Sequence, residues 1–243
     1  MKKIMFGLAA AVAIGAFGIE SANTVGYQQI PTPQGSSMRC ATFRTVLAAS
    51  YPLSQIKVEG ADGTGDVSAQ TISSAGLWDG EYYYLTEDMT GAPDGWYKDM
   101  FGDESANDVI LPEGTALFVS SANNDIVLTV SGEVAKGDVL VPFSQGAGMI
   151  GNCLPVDVAL ARIGLTGADG TGDVCVQTIS AGGLWDGEYY YLTEDMTGAA
   201  DGWYKDMFGD EAADDVTLAP GDSLFVTSAN NDVTFTFPAA IAE

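Results

Sequence analysis

The chain has 243 residues, of which 47% are hydrophobic, and it carries a formal net charge of −24 with no histidine. A chain of this length accommodates about two domains, and so strong a negative charge makes nucleic acid and anionic lipid poor partners. The absence of histidine excludes Ser-His-Asp and Cys-His catalysis and the ligation of metals by histidine.

The N-terminus has the plan of a secretory signal. A short basic segment, Met1-Lys2-Lys3, precedes an apolar run over residues 4–19, and this run is too short to span a bilayer. We therefore predict a signal peptide at residues 1–22 and a secreted or cell-surface protein. Since no second apolar segment follows, we expect no membrane insertion of the mature chain.

A strand is predicted directly after the signal, followed by a proline-containing segment at 31–35. The segment could hold the strand away from its own domain, as an arm that completes a neighbour's sheet by strand addition. The alternative is that the arm pairs inside its own domain, as residues 139–141 are expected to do in the second half. The residues of this arm are Thr24, Val25, Gly26, Tyr27, Gln28, Gln29 and Ile30.

The chain contains a long internal duplication. Residues 61–126 match residues 168–233 at a fixed offset of 107, with 52 identities in 66 positions. At its centre the stretch GLWDGEYYYLTEDMTGA occupies residues 76–92 and returns unchanged at 183–199. We therefore predict two homologous β-domains, at residues 23–134 and 135–243.

Short segments of alternating polarity indicate strands at 66–72, 117–119, 126–130 and 233–237. Asp79-Gly80 favours a tight hairpin turn, and the only helical candidate is 156–163, with a drifted counterpart near 53–58. The pattern predicts an all-β fold of two tandem homologous β-sandwich or jelly-roll-like domains, with at most a short helix each.

Several motifs occur along the chain: ANTVGY at 22–27 and the segments at 129–134, 148–154, 160–163, 184–192 and 218–226. Together they resemble the motifs of secreted tandem β-repeat proteins of verrucomicrobial-type Gram-negative bacteria. This resemblance implies tandem β-units and export, and it implies no particular activity. The chain departs from the family pattern at Cys153, where proline is common, and at 237–239, where a closing Gly-Glu-Val is lost.

The repeated stretch supplies an aromatic cluster with three interpretations. Flat rings could stack on sugars, they could fill the core or the contact between the copies, or they could form a self-association interface. Alternation along 81–85 places Tyr82 and Tyr84 on one face and Tyr83 on the other. The candidate residues are Trp78, Tyr82, Tyr83, Tyr84, Trp185, Tyr189, Tyr190 and Tyr191.

Each copy also contains the loop Ala-Asp-Gly-Thr-Gly-Asp, with carboxylates at Asp62 and Asp66 and again at Asp169 and Asp173. Oxygen-rich loops of this kind suit Ca²⁺, although the ligand spacing is not that of an EF-hand. The alternative is a glycine-rich turn with two solvated aspartates.

Two of the three cysteines lie where the first copy has none. Cys153 aligns with Thr42 and Cys175 with Ser68, and such a joint change is typical of two strands linked by a disulfide in an exported protein. We therefore predict a Cys153–Cys175 disulfide. Cys40 is left as a buried thiol or an intermolecular link.

These features predict an exported, non-catalytic structural protein that self-assembles at the cell surface or into an extracellular filament, with the N-terminal arm as the means. The alternative is a cell-surface protein that binds polysaccharide through the repeated Trp/Tyr segment. Paired carboxylates such as Asp79 and Glu81 are common by chance in so acidic a chain, so we expect no enzyme and no cofactor other than Ca²⁺.

Overall fold

The computed structural model describes residues 25–39, 50–72, 78–91, 93–112, 114–134, 136–179, 185–198 and 200–239. The predicted signal peptide, Thr24 and Cys40 lie outside these ranges, so the predictions made for them stay predictions.

The described residues form twenty strands, ten in each half of the chain. The first half contains β1 (Val25–Thr32), β2 (Gly35–Arg39), β3 (Ser50–Pro52), β4 (Lys57–Glu59), β5 (Thr64–Ile72), β6 (Trp78–Leu85), β7 (Gly95–Tyr97), β8 (Ile110–Pro112), β9 (Leu117–Ser121) and β10 (Ile126–Glu133). The second half contains β11 (Val139–Phe143), β12 (Gly146–Gly151), β13 (Val158–Ala159), β14 (Gly164–Thr166), β15 (Thr171–Ile179), β16 (Trp185–Leu192), β17 (Gly202–Tyr204), β18 (Thr217–Leu218), β19 (Ser223–Ser228) and β20 (Val233–Phe237).

The same sheet topology occurs twice. A five-stranded sheet has the order β2-β9-β5-β6-β7 in the first half and β12-β19-β15-β16-β17 in the second. A three-stranded sheet has the order β1-β10-β4 and then β11-β20-β14, and each half adds a two-stranded pair, β3-β8 or β13-β18. This confirms the predicted all-β, sandwich-like fold, whereas the exact division into domains stays a prediction.

The core of each half lies between its three-stranded and five-stranded sheets. In the first half, Ile30 and Leu128 from the smaller sheet join Val67 and Val119 from the larger one. The second half repeats this arrangement, with Phe235 among its fully buried side chains. Sheets that are apolar on one face are stabilised by this packing because the apolar area is removed from water.

Most predicted strands are confirmed: 66–72 lies in β5, 117–119 in β9, 126–130 in β10, and 233–237 is β20. The alternation in β20 places Val233, Phe235 and Phe237 in the core, as predicted.

The helix predicted at 156–163 is wrong. The segment forms β13 followed by a single 3-10 turn at Leu160–Arg162, because Val158 pairs with Leu218 and the Leu160 N–H donates to the Val216 carbonyl at 2.8 Å. Its counterpart at Leu53–Gln55 is also a 3-10 turn.

The two short α-helices fall inside the repeated stretch, where the sequence reasoning placed none. They are α1 (Glu87–Thr90) and α2 (Glu194–Thr197). Gly91 and Gly198 end them with a φ of 70°, a left-handed conformation that glycine adopts without steric cost.

The N-terminal arm pairs inside its own half over Val25–Thr32, as the alternative interpretation expects, and strand addition to a neighbouring chain stays a prediction. All eight residues of β1 pair antiparallel with β10. Gln28, Ile30 and Thr32 are buried, which makes the arm part of its own core. The prolines do not separate it from the domain, because the Gln34 Nε2 donates to the Ala122 carbonyl at 2.6 Å.

The two halves contact each other reciprocally. A methyl group added at Gly114 would lie 2.5 Å from Val141 Cγ2, and one added at Gly221 would lie 2.8 Å from Ile30 Cγ1. Gly114 and Gly221 are equivalent in the duplication, and so are Ile30 and Val141. Each copy therefore offers the same glycine to the same aliphatic side chain of the other, as in the isologous interface of a twofold dimer.

Backbone hydrogen bonds reinforce this junction. The Gly151 N–H donates to the Gly114 carbonyl at 3.0 Å, and Thr115 forms a bridge with Ile150. The main contacts between the sheets join β12 to β5 and β19 to β2, and Ile72 and Phe118 of the first half pack against the core of the second half.

We expect Gly221→Ala to reduce the free energy of unfolding more than Gly198→Ala. Both glycines have positive φ, at 87° and 70°, so each alanine costs about 1–2 kcal/mol in backbone strain. Only Gly221 faces a side chain within 4 Å, and this overlap adds roughly 1–3 kcal/mol. Denaturant unfolding measures the difference.

Ile30→Val in the Gly221→Ala background should recover part of the loss, since it removes a methylene from the contact. Equal costs for the two glycine variants would show that the halves do not meet at Gly221.

Candidate functional site

The tyrosines of β6 divide between the core and the outside of the sheet. Tyr84 is buried and makes an edge contact with Trp96, with ring centroids 5.5 Å apart. Tyr82 packs partly buried against the same core. The Trp96 indole N–H donates to the Ile56 carbonyl at 2.9 Å, so the buried aromatic group is satisfied. Tyr82 and Tyr84 are therefore core residues rather than ligand contacts.

The second half repeats this interior face. Tyr189 and Tyr191 pack against the second core, and Tyr191 makes an edge contact with Trp203 at 5.3 Å. The Trp203 indole N–H donates to the Ile163 carbonyl at 2.9 Å. Tyr189 and Tyr191 are therefore core residues rather than ligand contacts, like Tyr82 and Tyr84.

A β-bulge turns the tryptophan of β6 outward. Glu81 pairs with Gln70, whereas Trp78 pairs with Ile72, so three steps along β6 match two along β5. Plain alternation would place Trp78 on the same side as Tyr82 and Tyr84, and the bulge moves it to the side of Tyr83.

Asp79-Gly80 is the bulge and not the predicted hairpin turn. Gly80 has a φ of 142°, and the Asp79 carbonyl accepts a hydrogen bond from the Thr71 hydroxyl at 2.8 Å. The chain continues as a strand through both residues, and β5 and β6 are connected by residues 73–77, outside the described ranges.

The bulge creates an exposed aromatic surface in each half, which we call the aromatic platform. Its tryptophan is more than half exposed, at 55% for Trp78 and 58% for Trp185. Each indole makes an edge contact with a phenylalanine of the neighbouring part of the sheet, Phe118 at 5.2 Å or Phe225 at 5.3 Å. These contacts fix the indole orientation. The platforms are Trp78, Phe118, Tyr83, Gln70 and Glu81, and Trp185, Phe225, Tyr190, Gln177 and Glu188.

Hydrogen bonds hold the polar groups of the second platform in place. Glu188 accepts from the Tyr190 hydroxyl at 2.6 Å and from the Gln177 amide at 3.1 Å. The hydrogen bond to Glu188 is the main reason, and burial the second, that the pKa of Tyr190 is raised to about 12. The same hydrogen bond lowers the pKa of Glu188. The platform therefore presents a fixed tyrosine and an ionised carboxylate beside an exposed indole. In the first half the hydrogen bond to Glu81 likewise raises the pKa of Tyr83.

The predicted disulfide between Cys153 and Cys175 is wrong. Both residues are thiols. Cys175 lies in β15 and Cys153 follows the end of β12, and β19 lies between these two strands. Cys175 pairs with Thr227, whereas β12 ends at Gly151 opposite Ser223. Thr227 and Ser223 are four residues apart along β19, which is about 13 Å at the rise of a strand. This separation is far too long for a disulfide. The Cys175 thiol instead donates to Glu188 at 3.3 Å.

The predicted calcium residues lie together in pairs, Asp62 with Asp66 and Asp169 with Asp173, and the backbone N–H of the first aspartate lies 3.5 or 3.4 Å from the second carboxylate. Within the described ranges, no three Asp, Glu, Cys or His side chains form a metal-binding group. Each pair therefore depends on other oxygen atoms for any further ligand.

The sequence reasoning missed an exposed apolar loop in each half. Asp99 accepts N–H bonds from Phe101 at 2.8 Å and Glu104 at 2.7 Å. This turn presents Phe101 at 80% exposure, and Met89 and Met100 are also exposed. The second half repeats the loop, with Phe208 at 81%. An Asx turn around D-M-F-G-D is the sequence signal that could have located it.

Comparison with family models, curated proteins and solved structures gives no match for this chain. The resemblance to secreted tandem β-repeat proteins stays a prediction. The described part of the chain holds no helix with the length and apolar character of a membrane span.

We expect two reactive thiols in denatured, unreduced Cys40→Ser protein, one from Cys153 and one from Cys175. In the native protein at pH 8 both should react slowly with a thiol reagent, because Cys153 is buried and burial, with help from Glu188, raises the pKa of Cys175 to about 12. The thiolate is the reactive form, so labelling of Cys175 should accelerate as the pH rises toward this value.

Glu188→Gln removes the adjacent charge and should lower the pKa of Cys175, which speeds its labelling by about tenfold per pKa unit. Cys153 provides the internal control. A denatured count of zero would establish the disulfide and contradict the structure.

Proposed function

We propose that this chain is an exported, non-catalytic protein of the cell surface that binds polysaccharide on its two aromatic platforms. The single observation that carries this proposal is the exposure of Trp78 and Trp185, each fixed by a phenylalanine on the outer side of a five-stranded sheet.

The composition of the platform favours a sugar. An exposed indole and a half-buried tyrosine offer flat apolar surface to the C–H face of a pyranose, while neighbouring amide and carboxylate groups can orient its hydroxyls. Glu188 and Gln177 already lie 3.1 Å apart through their hydrogen bond, so ligand binding orders few side chains and loses little entropy.

The charge of the chain narrows the ligand class. At −24 overall, with a carboxylate at Glu81 and Glu188 on the platforms themselves, an acidic polysaccharide is repelled. We therefore propose a neutral or amino-sugar polysaccharide.

The duplication supports binding to a polymer rather than to a single sugar. The two platforms are equivalent, and the reciprocal contacts at Gly114 and Gly221 hold the halves together. Two weak sites on one polymer strengthen each other by raising the effective concentration at the second site.

Self-assembly remains as a second candidate function, in a form without strand addition. The observation that favours it is the pair of rigid loops that expose Phe101 and Phe208. Exposed phenylalanine and methionine are typical of protein interfaces.

We expect Trp78→Ala/Trp185→Ala protein to lose polysaccharide binding while it keeps its fold and its sedimentation coefficient. A glycan array identifies the ligand, and titration calorimetry measures the loss, which we expect at about tenfold or more from the removal of two stacking surfaces.

Phe101→Ala/Phe208→Ala is the matched control, since it removes two exposed aromatic residues from the loops that follow β7 and β17. It should bind polysaccharide normally. If wild-type protein forms oligomers that this variant loses, assembly through the loops is supported. Wild-type protein without glycan binding would refute the platforms as sugar sites.

A further inference from the structure

A buried carboxylate oxygen in each half has no hydrogen-bond partner. Asp173 is only 8% exposed, and its Oδ1 is buried and unpartnered among the described residues. Its Oδ2 lies 3.4 Å from the Asp169 N–H, and the Asp173 carboxyl also interacts with the Asp169 side chain and the Gly170 backbone. The Oδ1 of Asp66 is orphaned in the same way in the first half. An ionised oxygen removed from water without a partner is costly, so a proton or a cation must offset it.

The neighbouring aspartate is already satisfied and ionised. Asp169 Oδ1 accepts from the Thr171 N–H at 2.9 Å and from the Thr171 hydroxyl at 2.6 Å, and Oδ2 accepts from the Asn230 amide at 2.8 Å. These donors hold the pKa of the Asp169 carboxyl well below its usual range. The pKa of Asp173 is raised, mainly because the carboxyl is buried and secondly because it interacts with Asp169. A charged carboxylate thus lies beside a buried one.

Among the described residues, no lysine or arginine is one of the groups that act on the Asp169 and Asp173 carboxyls. Within the described part of the chain, Lys98 pairs with Glu104 and Asp108, and Lys205 pairs with Glu211 and Asp215. The chain as a whole carries 33 acidic residues against nine basic ones, so the local potential favours a bound cation over an empty site.

We propose that the loops at 61–66 and 168–173 each bind one divalent cation of the Ca²⁺ class, between the carboxylates of Asp62 and Asp66 and of Asp169 and Asp173. Calcium accepts carboxylate, amide and backbone carbonyl oxygens in flexible geometry, whereas Mg²⁺ demands a near-ideal octahedron. A glycine-rich loop with only two carboxylates suits the first ion.

The site joins two segments of each half. The Asn230 amide, which already contacts Asp169, lies in the turn before β20, and the Ala229 N–H donates to the Asp173 carbonyl at 2.9 Å. A cation held here therefore fastens the β14–β15 loop to the β19–β20 turn. With two carboxylates per site, the affinity falls in the range of extracellular modules, with Kd on the order of 10⁻⁴–10⁻³ M. This inference does not depend on the proposed binding of polysaccharide.

Titration calorimetry of the wild-type protein with CaCl₂ after EDTA treatment tests the proposal. We expect two ions per chain, a rise in Tm of about 5 °C or more at ten times Kd, and a much smaller rise with MgCl₂. Asp66→Asn/Asp173→Asn should abolish both the heat and the shift.

The control is Asp79→Asn/Asp186→Asn, which removes two exposed carboxylates and changes the net charge equally, and it should keep the calcium response. Asp173→Asn alone should reduce the stoichiometry from two to one, a readout that survives if the double variant fails to fold. Wild-type protein that binds no calcium up to 10 times the upper Kd, or variants that respond as wild type does, would overturn the proposal and leave a proton as the neutralising group.

Discussion

The structure depends on a strand that must satisfy two environments at once. In β6 the alternation of the backbone sends Tyr82 and Tyr84 into the core and Tyr83 to the outside. A regular strand would also send Trp78 inward, to the side of Tyr82 and Tyr84. The Asp79-Gly80 bulge turns Trp78 outward instead, since one extra residue reverses the facing of the side chain beyond it.

Because of the duplication, β16 repeats the bulge of β6. The halves meet through a glycine from one and an aliphatic side chain from the other, in both directions. The main contacts between the sheets join β5 with β12 and β2 with β19, and Trp78 and Trp185 are both more than half exposed. An isologous contact of this kind satisfies the equivalent surfaces of both halves at once.

Local patterning predicted much of the fold. The alternation in β5, β10 and β20 reflects one face buried against the other sheet, which is a property that a short window of sequence contains. Where two structures share one local pattern, the prediction was wrong. Asp-Gly suits both a hairpin turn and a bulge, and the apolar spacing at 156–163 arises from a strand followed by one turn rather than from a helix.

Contacts between residues far apart in the chain could not be predicted from the sequence. The joint appearance of Cys153 and Cys175 carries no information on distance, and β19 separates their strands. The contacts of Gly221 with Ile30 and of Gly114 with Val141 join residues far apart in the chain. The Asp66 and Asp173 loops were found from composition, but the orphaned oxygens that distinguish them from solvated turns required the structure.

Acrylamide quenching of tryptophan fluorescence tests most directly whether the bulge separates an outer from an inner aromatic face. Acrylamide is neutral, so the acidic surface does not exclude it. We expect wild-type protein to show a readily quenched fraction from Trp78 and Trp185 and a protected fraction from Trp96 and Trp203. Trp78→Phe/Trp185→Phe should remove the readily quenched fraction alone. Uniform quenching in both proteins would contradict this expectation.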